Sequence, residues 1–269
     1  MFINLTYQIG YAIIHIMKTL LRDLKIEKST NEGYPFSLPL FVNGLHLQFD
    51  TPITFIVGEN GSGKSTLLEN LAEAIGFNTL GGNKNHSYQN SSADNFSLAA
   101  YIKLSWSVKQ NYGFFFRAET FFEFAKNLDT LANNVNTDIY DAYGGKSLQK
   151  QSHGESFMSF FTNKVNDGLY ILDEPEAALS PEKQLSLISL LTDLSLRGNN
   201  QFIIATHSPL IISTPKSTLY EIENGELVKK NYKDTKQFQL YKNFTNCPER
   251  YLKYLCADIA ENTTKNGEK

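Results

Sequence analysis

The sequence predicts an α/β domain with a mainly parallel core sheet flanked by helices, carrying antiparallel β and helical insertions. Three apolar runs lead to that prediction. Ile53 to Val57, Gly168 to Leu172 and Gln201 to Ala205 are short, continuous and bounded by turn residues, as strands buried on both faces are. A helix-forming stretch separates the second run from the third, which is the strand, helix, strand rhythm of a parallel sheet. Each run ends in residues that sheet burial does not call for: a glycine-rich loop, a carboxylate pair and a histidine.

Length and charge narrow the reading. At 269 residues the chain can bury a full core as one domain with insertions. A formal net charge of −3 gives no global attraction to nucleic acid or anionic lipid. Any nucleic-acid contact is therefore local or delivered by a partner. Cys247 and Cys256 lack metal-type spacing, which favours free thiols in a reducing cytoplasm. Residues 1–17 are apolar but too short to span a bilayer, and they lack the layout of a signal peptide. They read as a mis-started extension, with 18–269 as the domain and a helical insertion at about 113–165.

The remaining elements follow in order. Leu45, Leu47 and Phe49 alternate as in a half-buried strand. Leu67 to Ile75 is amphipathic and stops at Gly76, which suits a helix C-cap. Asn78 to Asn95 has loop composition. Ala100, Ile102, Leu104, Trp106 and Val108 alternate, and Asn111-Tyr112-Gly113 precedes Phe114-Phe115-Phe116, so the pattern predicts a hairpin. Phe121 to Leu131 has helical spacing, Asn133 to Gly145 reads as loop, and a further helix starts near Glu155. Ser180-Pro181 combines an N-cap with a first-turn proline and opens a helix through Leu196. Asn224-Gly225 predicts a type I′ hairpin, and Cys247 to Ala260 a terminal helix.

The chemistry begins at Gly58-Glu59-Asn60-Gly61-Ser62-Gly63-Lys64-Ser65-Thr66, directly after a buried strand and before a helix. Glycines let the backbone curl so that successive N–H groups face an anion, and the helix adds its positive end. Lys64 can reach the β and γ phosphates, and the Ser65 hydroxyl can ligate Mg²⁺. In Leu169 to Pro175, a strand delivers Asp173 and Glu174 to the C-terminal edge of the sheet, where ligands sit in open α/β folds. Asp173 suits Mg²⁺, and Glu174 suits a general base on an attacking water. His207 closes a third strand and can hydrogen-bond a γ-phosphate.

These motifs, in this order, resemble the ABC-type ATPases of the P-loop NTPase fold. Ser152-His153-Gly154-Glu155-Ser156 stands where their signature loop belongs, with Ser152, Gly154 and Glu155 matching and Gln151 and His153 departing. Gly113 to Glu119 beside that loop is similar to the small stand-alone bacterial AAA/ABC-type predicted ATPases, near the chromosome-maintenance and break-repair branch. The resemblance implies ATP and Mg²⁺ as cofactors and Lys64, Glu174 and His207 as catalytic residues. It further implies an ATP-dependent homodimer, in which Ser152, Gly154 and Glu155 bind the nucleotide of the opposite copy. Ser180 stands where an aspartate is commoner in the family's D-loop. No glutamine follows Phe116 at the Q-loop place, so Arg117 or Glu119 are the substitutes, Glu119 also as a candidate metal ligand.

Downstream, the resemblance implies work in nucleic-acid repair or antiviral defence with a partner protein such as a nuclease, nucleic acid being contacted indirectly. One alternative is the energising subunit of a membrane transporter, disfavoured by the missing glutamine, although exposed aromatics in Phe114 to Phe124 would dock a membrane protein. Another is a binding switch with slow turnover.

Overall fold

The computed structural model describes residues 19–78, 97–110, 112–121, 125–126, 147–253 and 255. The chain divides into two compact units, Met1–Lys229 and Lys230–Lys269. Residues 1–17, the loops expected over 79–95 and 133–145, Asn111 of the expected turn, and Cys256 lie outside the described residues. So do most of 122–131 and the end of the terminal helix.

Among its described residues the first unit holds two sheets. Strands β1 (Leu21–Ile26), β2 (Leu45–Gln48) and β4 (Ile102–Trp106) form an antiparallel sheet in the order β2-β1-β4. Strands β3 (Ile53–Val57), β5 (Gly113–Arg117), β6 (Gly168–Asp173), β7 (Asn200–Ala205), β8 (Thr218–Glu223) and β9 (Glu226–Lys229) form the core sheet, ordered β5-β6-β7-β3-β8-β9. All of its pairings are parallel except β8 with β9. Every residue of β3, β6 and β7 is buried, as their continuous apolar character requires. Helices α1 (Lys64–Ile75), α2 (His153–Lys164) and α3 (Pro181–Leu196) are among the described helices of the unit.

Local chemistry sets the boundaries. Gly76 ends α1 at φ 91°, its N–H bonded to the carbonyls of Ala72 and Glu73. Ser180 caps α3 by accepting from the Lys183 N–H, with Pro181 in the first turn. Asn224 and Gly225 turn β8 into β9 with φ of 51° and 82°, the type I′ pattern.

The expected hairpin does not form. β4 pairs with β1 in one sheet, whereas β5 pairs in parallel with β6 in the other. Ala100 lies in a short 3₁₀ turn ahead of β4. The reason is burial: β4 alternates between half-buried and exposed residues, but Phe114, Phe115 and Phe116 are all buried and need cover on both faces. A side chain at Gly113 would set its Cβ 2.0 Å from the Leu169 carbonyl oxygen, so this glycine lets β5 lie against β6. The Phe114 to Phe121 aromatics are likewise not an exposed docking face. Phe116 packs on Phe121, Phe157 and Phe161, and Phe114 on Phe160, joining β5 to α2.

A buried amide ties the two sheets together. Gln201 on β7 accepts from the N–H groups of Leu20 and Leu21 at 2.9 and 2.7 Å and donates to the Leu21 carbonyl at 2.9 Å. In the second unit, helix α4 (Lys236–Asn246) is capped by Thr235, which accepts from the Phe238 N–H. Residues 248–253 and 255 are helical, and Phe244 meets Tyr251 edge to face.

Candidate nucleotide site

Parallel register gathers the chemistry. Arg117 pairs with Asp173, Asp173 with Ala205, and Ala205 with Ile56, so four strands end at one edge. The phosphate loop, Glu174 and His207 follow immediately from those ends. A cavity of about 610 Å³ opens there, lined by Asn60, Gly61, Gly63, Lys64, Ser65, Thr66, Glu174 and His207, with Tyr34 and Leu38 on its wall.

The loop is curled in the manner expected. Gly63 stands at φ 100° as the N-cap of α1, a conformation that glycine adopts without Cβ strain. The Lys64 ammonium donates to the carbonyls of Gly58 and Glu59, each at 2.9 Å. Burial pushes the Lys64 pKa below its usual value, against the opposing charges of Glu174, Asp173 and Glu176. The Ser62 hydroxyl is buried without a hydrogen-bond partner among the described residues. An orphaned donor in a glycine-bounded cradle fits a phosphate oxygen, as does the helix terminus behind it.

Ser65 donates to Asp173 Oδ1 at 3.1 Å, so two oxygens that could ligate a cation stand side by side. Asp173 is buried, and desolvation raises its pKa to about 6, with the Ser65 hydrogen bond and the Arg117 charge opposing. A desolvated carboxylate beside a hydroxyl fits a hard divalent cation that keeps part of its water. Ser65 and Asp173 would hold Mg²⁺, whose chemistry is to neutralise charge on the transferring phosphate.

Glu174 takes φ 50°, a left-handed conformation that costs a non-glycine residue roughly 1–3 kcal/mol. The strain turns its half-exposed carboxylate toward His207, whose Nε2 is 3.6 Å from Glu174 Oε1. Glu176 fixes the histidine from below, a role the sequence did not disclose. It accepts the His207 backbone N–H and, at 2.7 Å, the Thr206 hydroxyl. Gln184 on α3 holds Ser208 through a 2.5 Å hydrogen bond.

Not every expected residue lies at this cavity. Glu119 is exposed and pairs with Arg117 at 3.5 Å, away from the lining. Ser152, Gly154 and Glu155 start α2 outside the lining as well. Ser152 and Glu155 form a reciprocal capping box, with Ser152 N–H and hydroxyl both donating to Glu155 Oε2. Gly154 leaves no room for a side chain, because a Cβ would stand 2.8 Å from Lys183 Cδ and 2.9 Å from the Ala178 carbonyl oxygen. Tyr34 and Leu38 escaped sequence analysis because they precede the phosphate loop by twenty residues or more in a segment without periodicity. The Tyr34 hydroxyl lies 3.0 Å from Thr66 Oγ1.

Comparison with known proteins agrees with this chemistry. The model of a family described as an AAA ATPase domain matches residues 154–212, from the first turn of α2 to just beyond His207. The lipoprotein-releasing system ATP-binding protein LolD of Buchnera aphidicola is 23% identical over 225 residues, 77% of this chain and 96% of that protein. The zinc import ATP-binding protein ZnuC of Ehrlichia ruminantium is 29% identical over 206 residues, 70% of this chain and 79% of that protein. Among solved structures, the SMC head domain from Thermotoga maritima is 15% identical, with 79% of this chain and 99% of that one covered at a TM-score of 0.41. Strand-end chemistry and sequence likeness converge on ATP hydrolysis: the chain is an ATPase, similar over residues 154–212 to the AAA ATPase domain and over most of its length to ATP-binding proteins of transport systems.

Proposed function

We propose that this ATPase works as a head-to-tail homodimer closed around two ATP·Mg²⁺. One observation carries the reading. A single cavity gathers the phosphate loop, Glu174 and His207, while the exposed Ser152 helix start lies outside its lining, as a surface offered to a second copy would. In each site Lys64 and the loop N–H groups bind the triphosphate, and Ser65 and Asp173 hold the metal. Glu174 orients and deprotonates the attacking water, His207 contacts the γ-phosphate, and Tyr34 takes the base. The partner copy's α2 terminus completes the anion site.

The downstream task fits nucleic-acid repair or defence with a partner protein, on the likeness of Ser152-Gly154-Glu155 to the break-repair branch. A second reading is the energising subunit of a transport system, favoured by the names of the LolD and ZnuC relatives. No helix among the described residues is long and apolar enough to cross a membrane.

The test is ATP turnover against protein concentration. Turnover per subunit should rise with concentration in the wild type and collapse in Ser152→Arg. Glu174→Gln should lose about 10²-fold or more in rate while retaining ATP and accumulating dimer. A concentration-independent rate indifferent to Ser152 would remove the shared-site dimer.

A further inference from the structure

Arg117 occupies an unusual place for a cation. It ends β5 in register with Asp173, beside the pair that would receive a divalent metal. Its guanidinium is shared among three carboxylates from three elements. Nη1 binds Glu69 of α1, Nη2 lies 3.5 Å from Glu119, and Nε lies 3.8 Å from Asp173 Oδ2. That Nε is buried and too far from Asp173 for a hydrogen bond, with no other acceptor among the described residues. Glu69 holds one edge of the rigid fork and so keeps the other edge short of the carboxylate it neutralises.

We propose that Arg117 is a positioning residue that stands in for the metal at Asp173, and that Glu69 sets how firmly it does so. Resting on the reading of Ser65 and Asp173 as the metal pair, the inference assigns a competition. A divalent cation and the guanidinium both seek the Asp173 charge, and like charges a few ångströms apart repel. When metal arrives, the guanidinium moves its share of charge onto Glu69 and Glu119. Glu119 follows Arg117 by two residues, in the helical segment 118–121, so metal occupancy is transmitted to the end of β5 and the helix beyond it. This gives a function to the place where the sequence lacks a glutamine.

The experiment reads metal affinity rather than turnover. Mn²⁺ replaces Mg²⁺, and binding is followed by loss of the free-ion electron paramagnetic resonance signal at saturating non-hydrolysable ATP analogue. Arg117→Met should tighten Mn²⁺ by about fivefold, since it removes a partly screened positive charge. Arg117→Lys, which keeps the charge, should stay near the wild type. Glu69→Gln should weaken Mn²⁺, because an unrestrained fork closes on Asp173. In the Arg117→Met background, Glu69→Gln should change affinity little, since Glu69 acts through the arginine.

Additive effects in that double-variant cycle, or an unchanged affinity in Arg117→Met, would overturn the proposal. Should Arg117→Met fail to fold, the isosteric change Glu69→Gln at this partly buried position decides alone, and unchanged Mn²⁺ binding there overturns it. Ser65→Ala separates the two layers. If it leaves Mn²⁺ binding intact, the metal pair itself is wrong and the competition falls with it. If it abolishes binding while the cycle is additive, only the role of Arg117 is lost.

Discussion

Asp173 gives the most direct handle on the site at the scale of a single residue. Burial raises its pKa from 3.8 to about 6, so the folded protein holds this proton more tightly than the unfolded chain does. The stabilising share is present in full below about pH 4 and is lost as pH rises through about 6. Asparagine never ionises. In metal-free buffer at pH 8, Asp173→Asn should therefore be more stable than wild type by roughly 1–3 kcal/mol, the gain closing as pH falls toward 4. Urea unfolding across that range measures it, and parallel pH profiles would contradict the assignment. Lys64, Ser65, Asp173, Glu174 and His207 were all legible because each directly ends a buried run or belongs to a dense loop motif. The contacts of Glu176 and Tyr34 at the site were not legible, and Arg117 was singled out only by its place after β5, not by its carboxylate partners. The significance of all three rests on contacts with residues distant in sequence, or across a strand pairing, that no local pattern encodes.

Elements were legible where their ends carry local chemistry. Ser180-Pro181, Gly76 and Asn224-Gly225 place boundaries through hydrogen bonds and backbone angles that a few neighbouring residues decide. The hairpin expected around Tyr112 does not form because burial pattern, not adjacency in sequence, decides the pairing of β4 and β5. Three consecutive phenylalanines demand two covered faces, which β6 and α2 supply and β4 does not. Strand β1 was missed since LRDLKI mixes charges into its apolar positions and reads as surface until it is paired on both sides. The close approach of β5 to β6 makes a sharp prediction. Gly113→Ala should cost about 3 kcal/mol or more, since backbone rather than a flexible side chain must yield, and the loss should appear as a lowered denaturant midpoint. A midpoint matching the wild type would mean that β5 does not sit against Leu169.

For the first unit as a whole, the parallel core and the presence of antiparallel β were foreseeable, whereas the pairing of β2, β1 and β4 into a sheet of their own was not. Buried runs separated by a helix prescribe parallel strands, whereas the order β5-β6-β7-β3-β8-β9 depends on crossovers that periodicity does not record. What unites the two sheets is the Gln201 amide, fully buried and satisfied at both ends by Leu20 and Leu21. Gln201→Leu would strand two N–H groups and a carbonyl, each at about 1–3 kcal/mol. Urea unfolding should show a loss of at least 3 kcal/mol by that accounting, and a near-neutral effect would show that the sheets associate without the strap. The Lys64 ammonium, resting on two carbonyls of its own loop, has a consequence of another kind. The curl of the cradle is settled during folding, so on the proposed reading capture of a triphosphate would be an exchange of acceptors and not a coupled ordering of chain. Its heat-capacity change would then be small, and its arrival rate governed by encounter.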